Sequence, residues 1–176
     1  MYREDNMSKT ENIILQGLKD AMMAERTGIE FYTMASQTTS DAKGREVFQL
    51  LAKEEQQHFE YLQETYGHLV NGEAIDLSHM FSVDSMLSGE GSIFSDSLKS
   101  RLNQAHFEMS ALSVGLQLEQ NAIKHYQSLA DVAKDPKVKK FFLQLVEWEG
   151  HHAKAFINEM NSLKEDYWSQ ANFAPF

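Results

Sequence analysis

Two stretches of this chain place a glutamate and a histidine three residues apart: Glu55-Gln-Gln-His58 and Glu149-Gly-His-His152. On a helix, residues three apart share a face, so carboxylate and imidazole point the same way. Each pair is able to grip one metal ion. With 17 Glu and 7 His in the chain, a single such pair carries little weight. The position of the two pairs gives them their meaning.

The chain contains itself twice. Moving back by 94 positions takes Glu119 to Glu25, Tyr126 to Tyr32, Asp135 to Asp41, Phe142 to Phe48, Leu145 to Leu51, Glu149 to Glu55 and His152 to His58. A fixed offset of this kind is an internal duplication. Its unit is a glutamate, six residues, a tyrosine, a short break, an apolar run and then Glu-x-x-His. Chance would have to place two pairs and two upstream glutamates in register.

The elements that must carry these residues are helices. Apolar spacing of three and four dominates, strand-like alternation is scarce, and only Pro136 and Pro175 occur as prolines, so the fold is predicted to be all-α. Residues 1–7 are polar and expected to fray. Ser8 with Glu11 forms a capping box for a first helix over 9–38, whose inward stripe is Ile14, Leu18, Met22, Glu25, Ile29, Tyr32 and Ala35. A turn at 38–41 leads to a second helix over 42–66 with Val47, Leu51, Glu55, His58 and Leu62 inside; so short a link makes the two antiparallel neighbours. Residues 67–110 are rich in glycine and serine. They are read as a covering crossover running the height of the bundle, with a short helix within 93–104, so that the third helix starts where the first hairpin started. Ser110 caps that helix over 111–133, with Leu112, Leu116, Glu119, Ile123, Tyr126 and Ala130 inward. Asp135-Pro136 starts the fourth, to 163, with Phe142, Leu145, Glu149, His152 and Phe156 inward. The domain is thus residues 1–163, two αα-hairpins joined by the crossover. The tail, 164–176, is expected to pack on the bundle or on a second subunit.

Four stripes together bring Glu25, Glu55, His58, Glu119, Glu149 and His152 into one core. Four buried carboxylates without partners would each lose several kcal/mol in desolvation. No lysine or arginine lies on the stripes nearby. Two divalent cations would bring +4 against −4, and the imidazoles add neutral ligands. A Glu from each of two helices with Glu-x-x-His from each of two others matches the ligand arrangement of carboxylate-bridged di-iron and di-manganese bundles. Oxygen and nitrogen donors without sulfur suit two Fe or Mn ions, and Zn also fits. By the symmetry of the repeat, Glu55 and Glu149 bridge, while Glu25 with His58, and Glu119 with His152, are terminal. Tyr32 and Tyr126 stand two turns beyond Glu25 and Glu119, placed to hydrogen-bond a ligand carboxylate and fix its orientation. His68, His79, His106, His125 and His151 lie off the repeat or off the face and receive no role. Met22 and Met23 read as core filler. Trp148, opposite Glu54 in the repeat, is expected to face outward into a subunit contact.

Composition excludes several classes. At 176 residues the chain suits one domain with a sizeable core. A net charge of −10 opposes nucleic acid and anionic lipid. There is no cysteine, which removes disulfides, thiolate metal sites and catalytic thiols. With no apolar run long enough to span a membrane and no leader visible, a cytoplasmic location is expected.

The chain resembles the rubrerythrin-type proteins of the ferritin-like superfamily. The likeness rests on Glu25-x-x-Gly-Ile-Glu-Phe-Tyr32, Leu51-Ala-Lys-Glu-Glu55-Gln-Gln-His58, Glu119-Gln-Asn-Ala-Ile-Lys-His-Tyr126 and Glu149-Gly-His-His152, and it covers residues 9–163. It implies a ferritin-like four-helix bundle with a di-iron site, which reduces peroxide or oxygen while oxidising Fe(II), commonly as a homodimer. Rubrerythrins also carry a rubredoxin-like domain with four cysteines. Without cysteine, this chain would draw electrons from an external donor protein. They further use an extra glutamate one turn beyond the third-helix ligand; here that position is Ala122, and its repeat partner is Gly28. The alternative reading is an iron binding and storage protein, which shares the same six ligand types.

Overall fold

In the computed structural model, residues 8–75, 77, 92–100 and 105–170 are described, with 167–170 as backbone only. Five helices and no strand occur among them: α1 (Lys9–Thr38), α2 (Ala42–Asn71), the single turn α3 (Asp96–Lys99), α4 (His106–Val132) and α5 (Pro136–Gln170). The frayed residues 1–7, His79, most of the crossover interior and residues 171–176 of the tail lie outside the described residues.

Local chemistry sets most helix ends. The Ser8 hydroxyl accepts from the Glu11 amide while the Glu11 carboxylate accepts from the Ser8 amide, closing the predicted capping box. Asp41 accepts from the Gly44 amide at 2.8 Å and starts α2. Asp135 accepts from the Lys137 amide at 2.7 Å, beside Pro136 at the first position of α5.

Three boundaries differ from expectation. Helix α2 continues past Gly67 to Asn71 and ends on Gly72, whose φ of 71° suits glycine. Leu69 and Val70 pack on the core, which offsets the weak helix preference of Gly67. Helix α4 begins at His106 rather than after Ser110, and the Ser110 hydroxyl donates to the His106 carbonyl within the helix. Phe107 and Met109 pack on the apolar core, which carries the helix back past the expected cap. Helix α5 extends to Gln170, so the first part of the expected tail is helical. Of the short helix expected over 93–104, only Asp96–Lys99 is helical among the described residues.

Side-chain pairings fix the topology. Tyr32 meets Glu119 and Tyr126 meets Glu25, so α1 and α4 run antiparallel. His58 meets Trp148 and His152 meets Glu54, so α2 and α5 do too. The two halves are therefore related by a two-fold axis across the bundle. The start of α4 consequently lies at the turn between α1 and α2, where Thr39 donates to buried Glu108 at 2.8 Å. This corrects the expected starting end: a full-height crossover leaving the end of α2 must arrive opposite the end where α1 began. Its last stretch is pinned there. Glu159 of α5 accepts from the amides of Ile93 and Phe94 and from the Ser92 hydroxyl, and Asp41 accepts from Ser95.

The interior holds two apolar clusters. One gathers Ile14, Leu18, Leu62, Phe141, Phe142 and Leu145; the other gathers Phe48, Leu51, Phe94, Leu112 and Phe156. Each cluster holds one of the repeat-related tyrosines: Tyr126 stacks on Phe142 in the first and Tyr32 on Phe48 in the second, each at 6.4 Å. Met22 packs on the core as expected, but Met23 is 71% exposed and is not filler, since it lies off the stripe. None of the described helices is long and apolar enough to cross a membrane.

Candidate metal centre

Glu25, Glu55, His58, Glu119, Glu149 and His152 are all buried and converge midway along the bundle, each brought in by the inward stripe of its helix. Their donor atoms form two overlapping groups, Glu25–Glu55–His58–Glu149 and Glu55–Glu119–Glu149–His152, with the atoms of each group within 4.8 Å of one another. Glu55 and Glu149 belong to both. His58 Nδ1 lies 3.6 Å from Glu25, 3.4 Å from Glu55 and 3.0 Å from Glu149. His152 Nδ1 lies 3.4 Å from Glu55, 3.6 Å from Glu119 and 3.5 Å from Glu149.

Proximity here is not hydrogen bonding. Glu55 Oε1, His58 Nδ1, both Glu149 oxygens and His152 Nδ1 are buried with no hydrogen-bond partner, although some stand within ion-pair distance. Buried polar atoms are nearly always paired, so five orphans aimed at one point need another partner. Among the described residues, no lysine or arginine pairs with any of the six. A donor set of carboxylates and imidazoles aimed inward fits a metal ion.

Burial and charge separate the six groups. Burial, together with the charges of Glu55 and Glu149, holds Glu25 and Glu119 well above the usual carboxylate range. Burial would also raise Glu55, yet the neighbouring Glu25, His152 and His58 hold it well below that range. Burial and the charge of Glu55 act upward on Glu149, but the two histidines bring it down to about 2. Burial opposes charge on both imidazoles. The charge of Glu149 on His58, and of Glu119 on His152, outweighs it and raises both. Protons thus neutralise the cluster when no cation does.

The tyrosines reach across the two-fold. The Tyr32 hydroxyl donates to Glu119 and the Tyr126 hydroxyl donates to Glu25, so each holds the carboxylate of the other half. Burial, then the charge of the accepting glutamate, pushes both phenols well above their ordinary value, which keeps them protonated as donors.

Three features escaped the sequence. Trp148 does not face outward: it is 7% exposed and stacks on His58, ring centroids 4.8 Å apart and planes 12° apart. A two-fold that sets position 54 against His152 must set position 148 against His58. Glu54, given no role, accepts at 2.8 Å from His152 Nε2, the nitrogen facing away from the cluster. Between α1 and α4 a cavity of about 370 Å³ reaches Glu25, Glu55, Glu119 and Tyr32, with Gly28, Ala122 and His125 in its wall. A Cβ on Gly28 would sit 3.3 Å from Glu55 Cγ. His125 Nε2 lies 2.9 Å from the Gly17 carbonyl, and half-buried His68 pairs with Glu64 and Glu73.

No curated protein and no solved structure matches the chain. The Ferritin-like domain family matches it over residues 15–162, a span that holds all six converging side chains. The family's fold commonly binds iron. With that match covering most of its length, the chain belongs to the Ferritin-like domain family.

Proposed function

We propose that the chain is a rubrerythrin-like di-iron oxidoreductase that reduces peroxide or oxygen, with electrons arriving from a separate donor protein. The observation that carries this reading is a pair of donor groups sharing Glu55 and Glu149, with a cavity leading to them from outside. In this reading Glu25, Glu55, His58 and Glu149 would hold one ion, and Glu55, Glu119, Glu149 and His152 the other. Iron bound there would supply the electrons and the Lewis acidity that O–O cleavage requires.

The chain's own residues do the rest. Tyr32 and Tyr126 fix Glu119 and Glu25, so two carboxylates are set before any ion binds. The apolar clusters above and below keep water from the polar layer and strengthen every charge interaction in it. The cavity admits a small molecule to one side of the cluster, between Gly28 and Ala122. Tyr32 lines that cavity and keeps its proton at the hydroxyl, beside the point of entry. Reduction of peroxide to two waters takes two electrons and two protons, and a pair of bound Fe(II) ions would have the two electrons to give.

Stopped-flow absorbance after mixing Fe(II)-loaded protein with peroxide, and separately with oxygen, tests this reading. Oxidation of two Fe(II) per peroxide, faster than for free iron, is expected, from a dimer of about 40 kDa, twice the 20.2 kDa chain. Bound iron with no accelerated oxidation would leave a structural metal. A hollow shell in size-exclusion chromatography would favour storage.

A further inference from the structure

The duplication is broken at the position that meets the two histidines of the cluster. Positions 54 and 148 are repeat partners, and the two-fold brings each against the histidine of the opposite half. Position 54 is a glutamate and position 148 a tryptophan. The carboxylates at Nδ1 of the two histidines are matched: each ring faces its own helix's glutamate, the shared glutamate of the other half, and a terminal glutamate held by a tyrosine.

The difference acts on the far nitrogen of each ring. Glu54 accepts from His152 Nε2 at 2.8 Å, and both side chains are largely shielded, at 15% and 3% exposure. That bond fixes the tautomer of a neutral ring: the proton sits on Nε2, and the Nδ1 lone pair faces Glu55, Glu119 and Glu149. It also pushes electron density toward Nδ1 and makes it a stronger donor. His58 meets a flat indole face at 4.8 Å instead. An indole carries no acceptor for a ring N–H beyond its weak π cloud. Among the described residues, each carboxylate paired with His58 reaches its Nδ1.

We propose that the two metal positions are unequal, and that Glu54 makes the position carrying His152 the tighter one, filled first by a divalent cation. This rests on the reading of the cluster as a two-ion site. A carboxylate behind a ligating histidine strengthens metal binding by about 10–100-fold. The stepwise affinities of an otherwise two-fold site should separate by that factor. The same carboxylate places more negative charge beside one ion than beside the other.

Cobalt(II) is the probe. Crystals of the metal-free protein are given one equivalent, and anomalous diffraction reads the occupancy of each position; calorimetry in solution reads the two affinities. Occupancy is expected mainly beside Glu119 and His152, with affinities about 10–100-fold apart. Glu54→Gln keeps the shape and removes the charge, and should bring both occupancies and affinities toward equality. Trp148→Glu gives His58 the missing carboxylate and should strengthen the other position. Equal filling in the unaltered protein, filling beside His58 first, or an unchanged gap in Glu54→Gln overturns the proposal while leaving a two-ion site. No cobalt in the cluster overturns both. The order of filling is read on the unaltered protein, so it does not depend on either variant folding.

Discussion

Metal binding should drive protons out of the core, and their number follows from the geometry. Without cations, burial and the charges of Glu55 and Glu149 keep Glu25 and Glu119 as carboxylic acids. Both imidazoles are held in the charged form against the effect of burial, His58 by Glu149 and His152 by its contacts with Glu149 and Glu54. Glu55 and Glu149 stay ionised. Two negative and two positive groups then cancel. Two divalent cations need four ionised carboxylates and two neutral ring nitrogens. Two carboxyl protons and two imidazolium protons must therefore leave, four per pair of ions. Below the raised values, protons compete with metal, so apparent affinity falls as pH falls. With two protons released per ion, the affinity per ion should rise by about 100-fold per pH unit over the range where all four groups are protonated in the metal-free protein. Calorimetric titration of cobalt(II) into metal-free protein, repeated in buffers of different ionisation enthalpy, counts the protons directly. Release of less than one proton per ion would refute the reasoning, because the cluster would then already hold its ionised, ligand-ready form.

Two further perturbations separate binding from access. Tyr126→Phe removes the donor that holds Glu25 and should weaken binding by about 10–100-fold, concentrated at the position shared by Glu25 and His58; calorimetry checks the size, and unchanged affinity at that position would show that the tyrosine only packs. Ala122→Phe fills the cavity between α1 and α4 and should leave two ions bound while slowing oxidation by peroxide; an unaltered rate in stopped-flow would mean that the oxidant arrives elsewhere.

The six converging residues were legible because a duplication leaves a double trace. Glu25 and Glu119 look like any helical glutamate until each is set 94 positions from the other. Helix α1 was legible to the residue, since Ser8 and Glu11 mark its start by a local bond. The ends of α2 and α4 were not, because packing decides them: Leu69 and Val70 carry α2 past Gly67, and Phe107 and Met109 draw α4 back past Ser110. Trp148 and Glu54 were misread for a related reason. Periodicity places a residue on a face of its own helix, but the helix opposite that face is a matter of topology. Once α2 and α5 lie antiparallel about a two-fold, a boundary position on each falls against the other's histidine. The cavity was hidden as well, since the small residues in its wall, Gly28 and Ala122, are marked by no periodicity or motif.

The most direct test is where iron goes. Crystals of protein loaded anaerobically with Fe(II) and measured at the iron absorption edge should show two anomalous peaks per chain, one beside Glu25 and His58 and one beside Glu119 and His152, with Glu55 and Glu149 between them. Peaks that fall outside this layer, or none at all after full loading, would contradict the account.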